Sequence, residues 1–264
     1  MSQESIANIE EAARRLRDAA KTGILCAPVR ELIGETNQEV AYKVQSINNK
    51  LKLSNGAKVV GKKIGLTSFV VQKQLGVNQP DFGLLLTGMQ ILNGGEVPWN
   101  ECMQPKAEAE IAFVMATGVE DENATEQDIL DATEYVCVSL ELVGSRIENW
   151  DIRITDTIAD NAAAAHFVLG DKMVEPHGFD FTGCTMRMTK NGEVCSEGRG
   201  EACLGSPVKA VLWLAKTMVK MGTPLVAGDI VLSGALGPMV NASQGDKFET
   251  EVEGLGKVSV TYGG

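Results

Sequence analysis

Three glutamates occupy positions where a carboxylate is costly unless it binds a cation. Glu108 and Glu110 are two residues apart in the strand-like stretch 107–115 (AEAEIAFVM), so both side chains point to the same face. Two like charges placed in this way repel each other, and the residues that follow are core material. Glu141 is the only charge in the apolar stretch 136–143 (VCVSLELV). We therefore predict an all-carboxylate site for a divalent metal.

Other interpretations of these glutamates remain open. Glu108 and Glu110 also fit a solvated strand end, because edge strands often carry charges. Glu141 also fits a buried ion pair, for example with Arg146.

Histidine is scarce, and this limits the kind of metal. Only His166 and His177 occur in 264 residues. A histidine-rich zinc site is therefore nearly excluded, and a Ser-His-Asp triad would need one of these two residues. Carboxylate ligands favour a hard ion, Mg²⁺ or Mn²⁺.

Further polar residues stand beside glycines. Lys63 lies in 61–65 (GKKIG), where a lysine could approach a ligand closely and have a tunable pKa, although an ordinary surface lysine fits the same pattern. Asp81 follows Pro80 in a segment that is also a good turn sequence. Ser233 and Gly234 open a glycine-rich stretch after a strand, and its backbone N–H groups could face a carboxylate.

Charge and composition exclude several functions. The net charge of −11 argues against nucleic acid as a partner, and an anionic substrate would need a local cation. The N-terminus has no apolar signal core, and no stretch has the length of a membrane span. Six scattered cysteines without a CxxC pattern predict reduced packing residues in a cytoplasmic protein.

Periodicity predicts the elements that must position these residues. Apolar residues at helical spacing predict a first helix that ends near Gly23, and Thr36 with Glu39 predicts a capping box before a second helix. Strands are predicted over 58–66, 107–115, 136–143, 230–233, 247–253 and 257–262, and helices over 69–77, 126–135 and 208–221. Asn191-Gly192 predicts a hairpin between 185–189 and 193–196. The pattern indicates a β-rich core with a few covering helices and a helical N-terminal subdomain.

Several segments together resemble one known family. They are 61–68 (GKKIGLTS), 75–83 (LGVNQPDFG), 104–111 (QPKAEAEI), 140–150 (LELVGSRIENW), 159–161 (ADN) and 228–239 (GDIVLSGALGPM). In this order they resemble the 2-keto-4-pentenoate hydratase family, a branch of the fumarylacetoacetate hydrolase superfamily that serves bacterial meta-cleavage of aromatic compounds. The resemblance covers nearly the whole chain.

The resemblance implies a fold and a site. The fold would be α+β, with a β-rich fumarylacetoacetase-like core (a mixed β-roll or sandwich) over residues 76–264 and an N-terminal helical cap over residues 1–75. Mg²⁺ or Mn²⁺ would be held by Glu108, Glu110 and Glu141. The expected catalytic residues are Lys63 and Asp81, and the expected substrate-binding residues are Ser233 and Gly234. The family also implies a homo-oligomer, often a decamer built of pentamers, and in some members a complex with a neighbouring pathway enzyme.

The implied activity is addition of water to 2-hydroxypenta-2,4-dienoate, which gives 4-hydroxy-2-oxopentanoate. Two alternatives remain: a 4-oxalocrotonate-type decarboxylase of a 2-oxo-3-enedioate, and a non-catalytic partner subunit. The segments 144–163 and 204–215 resemble the hydratase branch more closely. Because the residues expected to do chemistry are all present, the non-catalytic alternative is the less favoured.

Overall fold

Two β-sheets form the framework of the chain in a computed structural model, which describes residues 3–69, 72–73 and 77–263. The strands of these residues are β1 (Val59–Gly65), β2 (Asp81–Leu86), β3 (Gln90–Ile91), β4 (Glu96–Val97), β5 (Lys106–Met115), β6 (Thr133–Val143), β7 (Ala164–Leu169), β8 (Thr185–Lys190), β9 (Glu193–Arg199), β10 (Ile230–Leu232), β11 (Val240–Asn241), β12 (Lys247–Val252) and β13 (Gly256–Tyr262).

The larger sheet has the order β2-β1-β10-β5-β6-β7-β3, with β11 added beside β5. Its centre is the long antiparallel pair β5–β6, whereas β1 runs parallel to β10 and antiparallel to β2. The smaller sheet has the order β4-β13-β12-β8-β9. Long-range pairing thus brings β1, β2, β5 and β6 together, although about 80 residues of chain separate the first from the last.

Six helices of the described residues cover these sheets. They are α1 (Gln3–Thr22), α2 (Arg30–Ile33), α3 (Gln38–Ser54), α4 (Glu126–Ala132), α5 (Ile154–Ala159) and α6 (Pro207–Lys220). Helix α6 begins with Ser206 as its N-cap and Pro207 in its first turn, a favourable combination because proline has no N–H to satisfy there. Short 3₁₀ turns occur at Trp99–Glu101, Glu148–Trp150, Asn161–Ala163 and Gly200–Ala202.

The apolar core is divided into separate clusters of buried side chains. The main cluster lies among β5, β6, α6 and the smaller sheet, and includes Phe113, Leu140, Leu214 and Phe248. A second cluster joins α1, α2 and α3 to Ile147 and α5. The N-terminal helices therefore pack on residues near the end of β6 and do not stand apart from the rest of the chain.

Several predicted elements are confirmed. Helix α1 ends before Gly23, whose φ of 72° suits glycine, and β5 and β6 occupy the predicted stretches. In the β8–β9 hairpin, Asn191 and Gly192 both adopt positive φ (55° and 87°), as the turn requires. The α+β class with a β-rich core is also confirmed.

Two local predictions are wrong. The N-cap of α3 is Asn37, whose side chain accepts from the N–H of Val40, so Thr36 and Glu39 do not form the predicted capping box. The helix predicted over 126–135 ends at Ala132, because residues from Thr133 onward pair with β5 in the sheet. Pairing along the whole edge of β5 outweighs the local helical pattern.

Two further predictions stay open. The helix predicted over 69–77 falls partly on residues 70, 71 and 74–76, which lie outside the described residues. The division at residues 75 and 76 stays a prediction. Strand β1 precedes that division and nevertheless belongs to the larger sheet.

One helical stretch, Gly200–Lys220, is long and apolar enough by composition to cross a membrane, with a mean hydropathy of 1.2. Half of it is buried in the structure. Its apolar face contributes Val208, Val211, Leu214 and Met218 to the main core, and this packing accounts for its composition.

Candidate metal and substrate site

Three carboxylates converge at the centre of the larger sheet. Glu108 and Glu110 lie on the same face of β5, and Glu141 on β6 is the direct cross-strand partner of Glu108. One oxygen from each of the three side chains lies within 4.8 Å of the others. Alternation along β5 and the register of β5 with β6 are what place them together.

The cluster has the properties of a cation site. Glu110 and Glu141 are fully buried, and Glu108 is half-buried. Glu110 Oε1 and Glu141 Oε1 are buried oxygens without a hydrogen-bond partner in the described structure. Buried carboxylates that lack both partners and solvent are costly unless a cation is bound. Oxygen donors of this kind fit a hard divalent ion.

The pKa values of the glutamates reflect the same crowding. Burial raises the pKa of Glu110 well above its usual range, and the charges of Glu141 and Glu108 raise it further. For Glu141, burial raises the pKa to about 7, although the ammonium of Lys63 opposes the shift. Without a cation, the folded protein therefore favours the protonated carboxyl groups.

Lys63 extends from β1 to this cluster and is buried. Its Nζ lies 3.1 Å from Glu141 Oε2 and donates a hydrogen bond to the carbonyl oxygen of Ala162 at 2.9 Å. Burial alone would lower its pKa, but the carboxylates of Glu141, Glu108 and Asp81 outweigh burial and raise it. The group is therefore an ammonium, and the lowered pKa expected from a nearby cation stays a prediction.

Asp81 begins β2 and is fully buried. It pairs with Gly65 across the β1–β2 ladder. A Cβ at position 65 would lie 2.2 Å from Asp81 Oδ1 and 3.5 Å from Lys63 Nζ, so only glycine leaves room for both side chains. Burial raises the pKa of Asp81 to about 6, against the effect of Lys63.

Ser233 and Gly234 lie directly behind Glu110. The N–H of Gly234 donates to Glu110 Oε2 at 2.8 Å, and the hydroxyl of buried Ser233 contacts the N–H of Ile111 and the carbonyl of Gly234. This glycine has a φ of 105°, and a Cβ there would lie 2.4 Å from the side chain of Thr67. In this arrangement, the Gly234 N–H orients Glu110, the predicted metal ligand, and its expected contact with substrate stays a prediction.

A cavity of about 540 Å³ opens at the carboxylates. Glu108 and Gly65 line it, and so does the glycine-rich stretch after β10. The lining residues are Ile64, Gly65, Leu66, Thr67, Ser68, Glu108, Ala202, Ala235, Gly237, Pro238 and Met239. Glu108 is the only ionisable side chain among them, so most of the cavity wall is neutral.

Sequence reasoning assigned no role to three of the groups found here. Thr67 and Ser68 line the cavity, and the carbonyl of Ala162 receives the Lys63 ammonium. The first two fall in the quoted segment 61–68, and Ala162 directly follows the quoted segment 159–161. These residues therefore lie in or next to segments that resemble the family, but their residue types alone do not predict a role in the chemistry.

The ion pair between Glu141 and Arg146, the alternative to a metal ligand, does not form in the structure. Arg146 instead binds Asp160 through its guanidinium and its backbone N–H, and the partner of Glu141 is Lys63. The bend after β6 points Arg146 away from the carboxylate cluster toward α5. Glu141 thus does form a buried ion pair, but its partner is Lys63 and not Arg146.

Comparison with known proteins shows the family of the chain. The family model "Fumarylacetoacetate (FAA) hydrolase C-terminal" matches residues 71–261. The chain therefore belongs to the fumarylacetoacetate hydrolase family, and within it to the branch of the 2-keto-4-pentenoate hydratases, as the following relatives show.

Curated relatives match over nearly their whole length. The chain is 47% identical to 2-keto-4-pentenoate hydratase 1 of Dechloromonas aromatica over 262 residues, covering 99% of this chain and 100% of the relative. It is 48% identical to the 2-keto-4-pentenoate hydratase of Paraburkholderia phymatum over 254 residues, covering 96% and 97%. A solved structure of 4-oxalocrotonate decarboxylase from Pseudomonas putida G7, complexed with magnesium and adipate, superposes with a TM-score of 0.92 at 31% identity, covering 96% and 97%.

Proposed function

We propose that this protein is a hydro-lyase that adds water to 2-hydroxypenta-2,4-dienoate and forms 4-hydroxy-2-oxopentanoate in the catabolism of aromatic compounds. The observation that carries the proposal is the cluster of Glu108, Glu110 and Glu141, which reaches a largely neutral cavity through Glu108 and has Lys63 and Asp81 beside it. The names of the hydratase relatives support the same reaction.

The metal in this proposal is Mg²⁺ or Mn²⁺. Glu108, Glu110 and Glu141 would hold it, and the orphaned oxygens of Glu110 and Glu141 support that assignment. When bound, the ion supplies Lewis-acid stabilisation to the negative charge that develops on the C2 oxygen of the substrate. It also offsets the charge of the glutamates, which lets an acidic protein bind an anionic substrate.

The protein's own residues would handle the protons. The dienol becomes an α,β-unsaturated ketone when C5 is protonated, water then adds at C4, and C3 receives a proton. Lys63 and Asp81 are proposed for these transfers, because both are buried beside Gly65 next to the cluster and Asp81 has a pKa raised to about 6. Ser233 and the glycine-rich stretch that follows it are proposed to hold the substrate at the cavity wall.

Decarboxylation by the same site is the second candidate. It is favoured by the structural likeness to 4-oxalocrotonate decarboxylase, which was solved with the dicarboxylate adipate. The cavity argues for the hydratase. Its described lining has no lysine, arginine or histidine to compensate the second carboxylate of an enedioate, whereas the neutral end of a pentadienoate needs no partner.

Assays on both substrates test this choice. The purified protein, loaded with Mg²⁺ or Mn²⁺ in turn, is assayed on 2-hydroxypenta-2,4-dienoate, on its C5-methyl homologue and on the 2-oxo-3-enedioate. We expect hydration of the first two and little CO₂ release from the third. CO₂ release as the dominant reaction would replace the proposal with the decarboxylase. A stoichiometric complex with a pathway enzyme and no turnover on any substrate would identify a non-catalytic partner.

The protein is further proposed to be a homo-oligomer in the cytoplasm. A homo-oligomer stays a prediction from the resemblance, and light scattering on the purified protein measures it. A cytoplasmic location is supported by the six cysteines, all of which are free.

A further inference from the structure

Three consecutive non-glycine residues beside the site adopt left-handed backbone conformations. Asn161, Ala162 and Ala163 have φ values of 55°, 52° and 59°. Asparagine tolerates this region better than most residues, but alanine seldom adopts it. A backbone of this kind persists only where its surroundings hold it, and it is often found where function requires it.

The central residue of this segment contacts a catalytic candidate. The carbonyl oxygen of Ala162 accepts a hydrogen bond from Lys63 Nζ at 2.9 Å, and the same ammonium lies 3.1 Å from Glu141 Oε2. The two contacts fix the ammonium between a metal-ligand carboxylate and a backbone carbonyl. The left-handed turn is what aims this carbonyl at Lys63.

The side chain of Asn161 holds the segment against β2. Its Oδ1 accepts from the N–H of Leu84 at 2.9 Å and from Asn49 Nδ2 at 3.0 Å, and its Nδ2 donates to the carbonyl of Leu84 at 2.9 Å. The amide thus forms with the Leu84 backbone the two hydrogen bonds that a neighbouring strand would form. Asn161 and Asn49 are both buried, so water does not compete for these bonds.

Gly83 permits this close approach. It is the register partner of Lys63 on β2, and a Cβ there would lie 2.2 Å from the carbonyl oxygen of Asn161 and 3.3 Å from the Cβ of Ala162. The absence of a side chain at residue 83 therefore lets the left-handed segment rest on β2 directly beside Lys63.

We propose that Asn161 is a positioning residue for Lys63: its amide clamps the left-handed segment to β2, and the segment holds the ammonium through the Ala162 carbonyl. The inference rests on the proposed function, in which Lys63 transfers a proton. Asn161 itself touches neither the metal ligands nor the substrate cavity among the contacts of the described residues.

Two substitutions distinguish the effect of the Asn161 side-chain amide from the effect of its left-handed backbone. Asn161→Ala removes the clamp and disfavours positive φ, whereas Asn161→Gly removes only the clamp. Because misplacement of a catalytic group by about 1 Å can cost about 100-fold, we expect Asn161→Ala to lower kcat on 2-hydroxypenta-2,4-dienoate by about that factor. Asn161→Gly should lose less. KM and Mn²⁺ affinity should change by less than about threefold, since the metal ligands remain.

Asn191→Ala is a matched control. Asn191 is also left-handed (φ 55°), and its amide makes two hydrogen bonds, to Asp246 and from the N–H of Lys247, but it lies in the β8–β9 hairpin. Its substitution should leave kcat unchanged whatever the loss of Tm. Equal effects of Asn161→Ala and Asn191→Ala on kcat would overturn the proposal.

A double-mutant cycle tests whether Asn161 acts through Lys63. In a Lys63→Met background, Asn161→Ala should have no further effect on the residual kcat, measured at high enzyme concentration. A further loss of the same size as in wild type would show a merely structural role. If wild type turns over none of the substrates, the proposed function fails, and a crystal structure of Asn161→Ala still decides the role of Asn161. The proposal expects Lys63 Nζ to lose its 2.9 Å contact with the Ala162 carbonyl, and an unmoved ammonium would overturn it.

Discussion

Glu108 and Glu141 are direct partners across the antiparallel β5–β6 ladder, at the centre of the larger sheet. Two like charges in such a position destabilise a sheet, and here Glu110 adds a third carboxylate within 4.8 Å. Lys63 supplies one positive charge, which leaves the cluster net negative. A divalent cation bound at the cluster would offset this negative charge.

Loss of one carboxylate should remove metal and activity but not the fold. We expect Glu110→Ala to abolish turnover and Mn²⁺ binding, because Glu110 is the buried ligand oriented by the Gly234 N–H. Thermal unfolding in chelator should show little loss of Tm, since the substitution removes a buried carboxyl with a strongly raised pKa. Glu251→Ala, on the exposed face of β12, is the control and should retain both properties. Full wild-type activity in excess chelator would refute the metal role.

The metal-free protein should lose stability as the pH rises. Burial raises the pKa of Glu141 from 4.5 to about 7, so the folded state binds more protons than the unfolded state within this window. The shift corresponds to roughly 3 kcal/mol at most. Denaturant unfolding in chelator should therefore show wild type losing stability relative to Glu141→Gln between these pH values. Saturating Mg²⁺ should reverse the trend, and a difference that grows in the opposite direction would contradict it.

Adjacent lysines on β1 should behave differently. Lys63 faces the carboxylates, whereas Lys62 faces the other side of the sheet and pairs with Asp229 at 2.6 Å in a buried ion pair. Lys63→Met should lower turnover to a small residual rate. Lys62→Met should cost about 3 kcal/mol of stability, because it leaves Asp229 buried and unpaired, and should leave the kcat of the folded protein near wild type. Stopped-assay kinetics and urea unfolding measure the two effects, and unaltered turnover in Lys63→Met would exclude the proposed proton transfer.

A single methyl group at residue 65 should disable the site. In Gly65→Ala, the new Cβ would meet Asp81 Oδ1 at 2.2 Å, so Asp81 must move. We expect kcat to fall by about 100-fold while Mn²⁺ affinity stays near wild type, since the three glutamates lie on other strands. Asp81→Ala should give a similar kcat, and Gly65→Ala in that background should have little further effect. A Gly65→Ala variant with wild-type kcat would remove Asp81 from the proposed proton transfers.

Local sequence reasoning predicted most elements, and its errors have a common cause. The hairpin at Asn191-Gly192 and helix α1 depend on neighbouring residues alone, and both were predicted correctly. The helix predicted over 126–135 failed at Thr133, where pairing with β5 decides the conformation. The partner of Glu141 was likewise missed, because Lys63 is distant in the chain and Arg146 is near.

Residue types and spacing alone predicted an all-carboxylate site for a hard divalent ion. Alternation put Glu108 and Glu110 on one face, the apolar surroundings of Glu141 marked it as exceptional, and the scarcity of histidine selected a hard ion. Only the tertiary structure decided how these groups meet. The register of β5 with β6 sets Glu141 opposite Glu108, and pairing of β1 with β2 brings Lys63 and Asp81 beside them. The left-handed turn at Asn161 then delivers the Ala162 carbonyl to Lys63. Such contacts depend on long-range pairing and close backbone approach, which residue types and spacing do not encode locally.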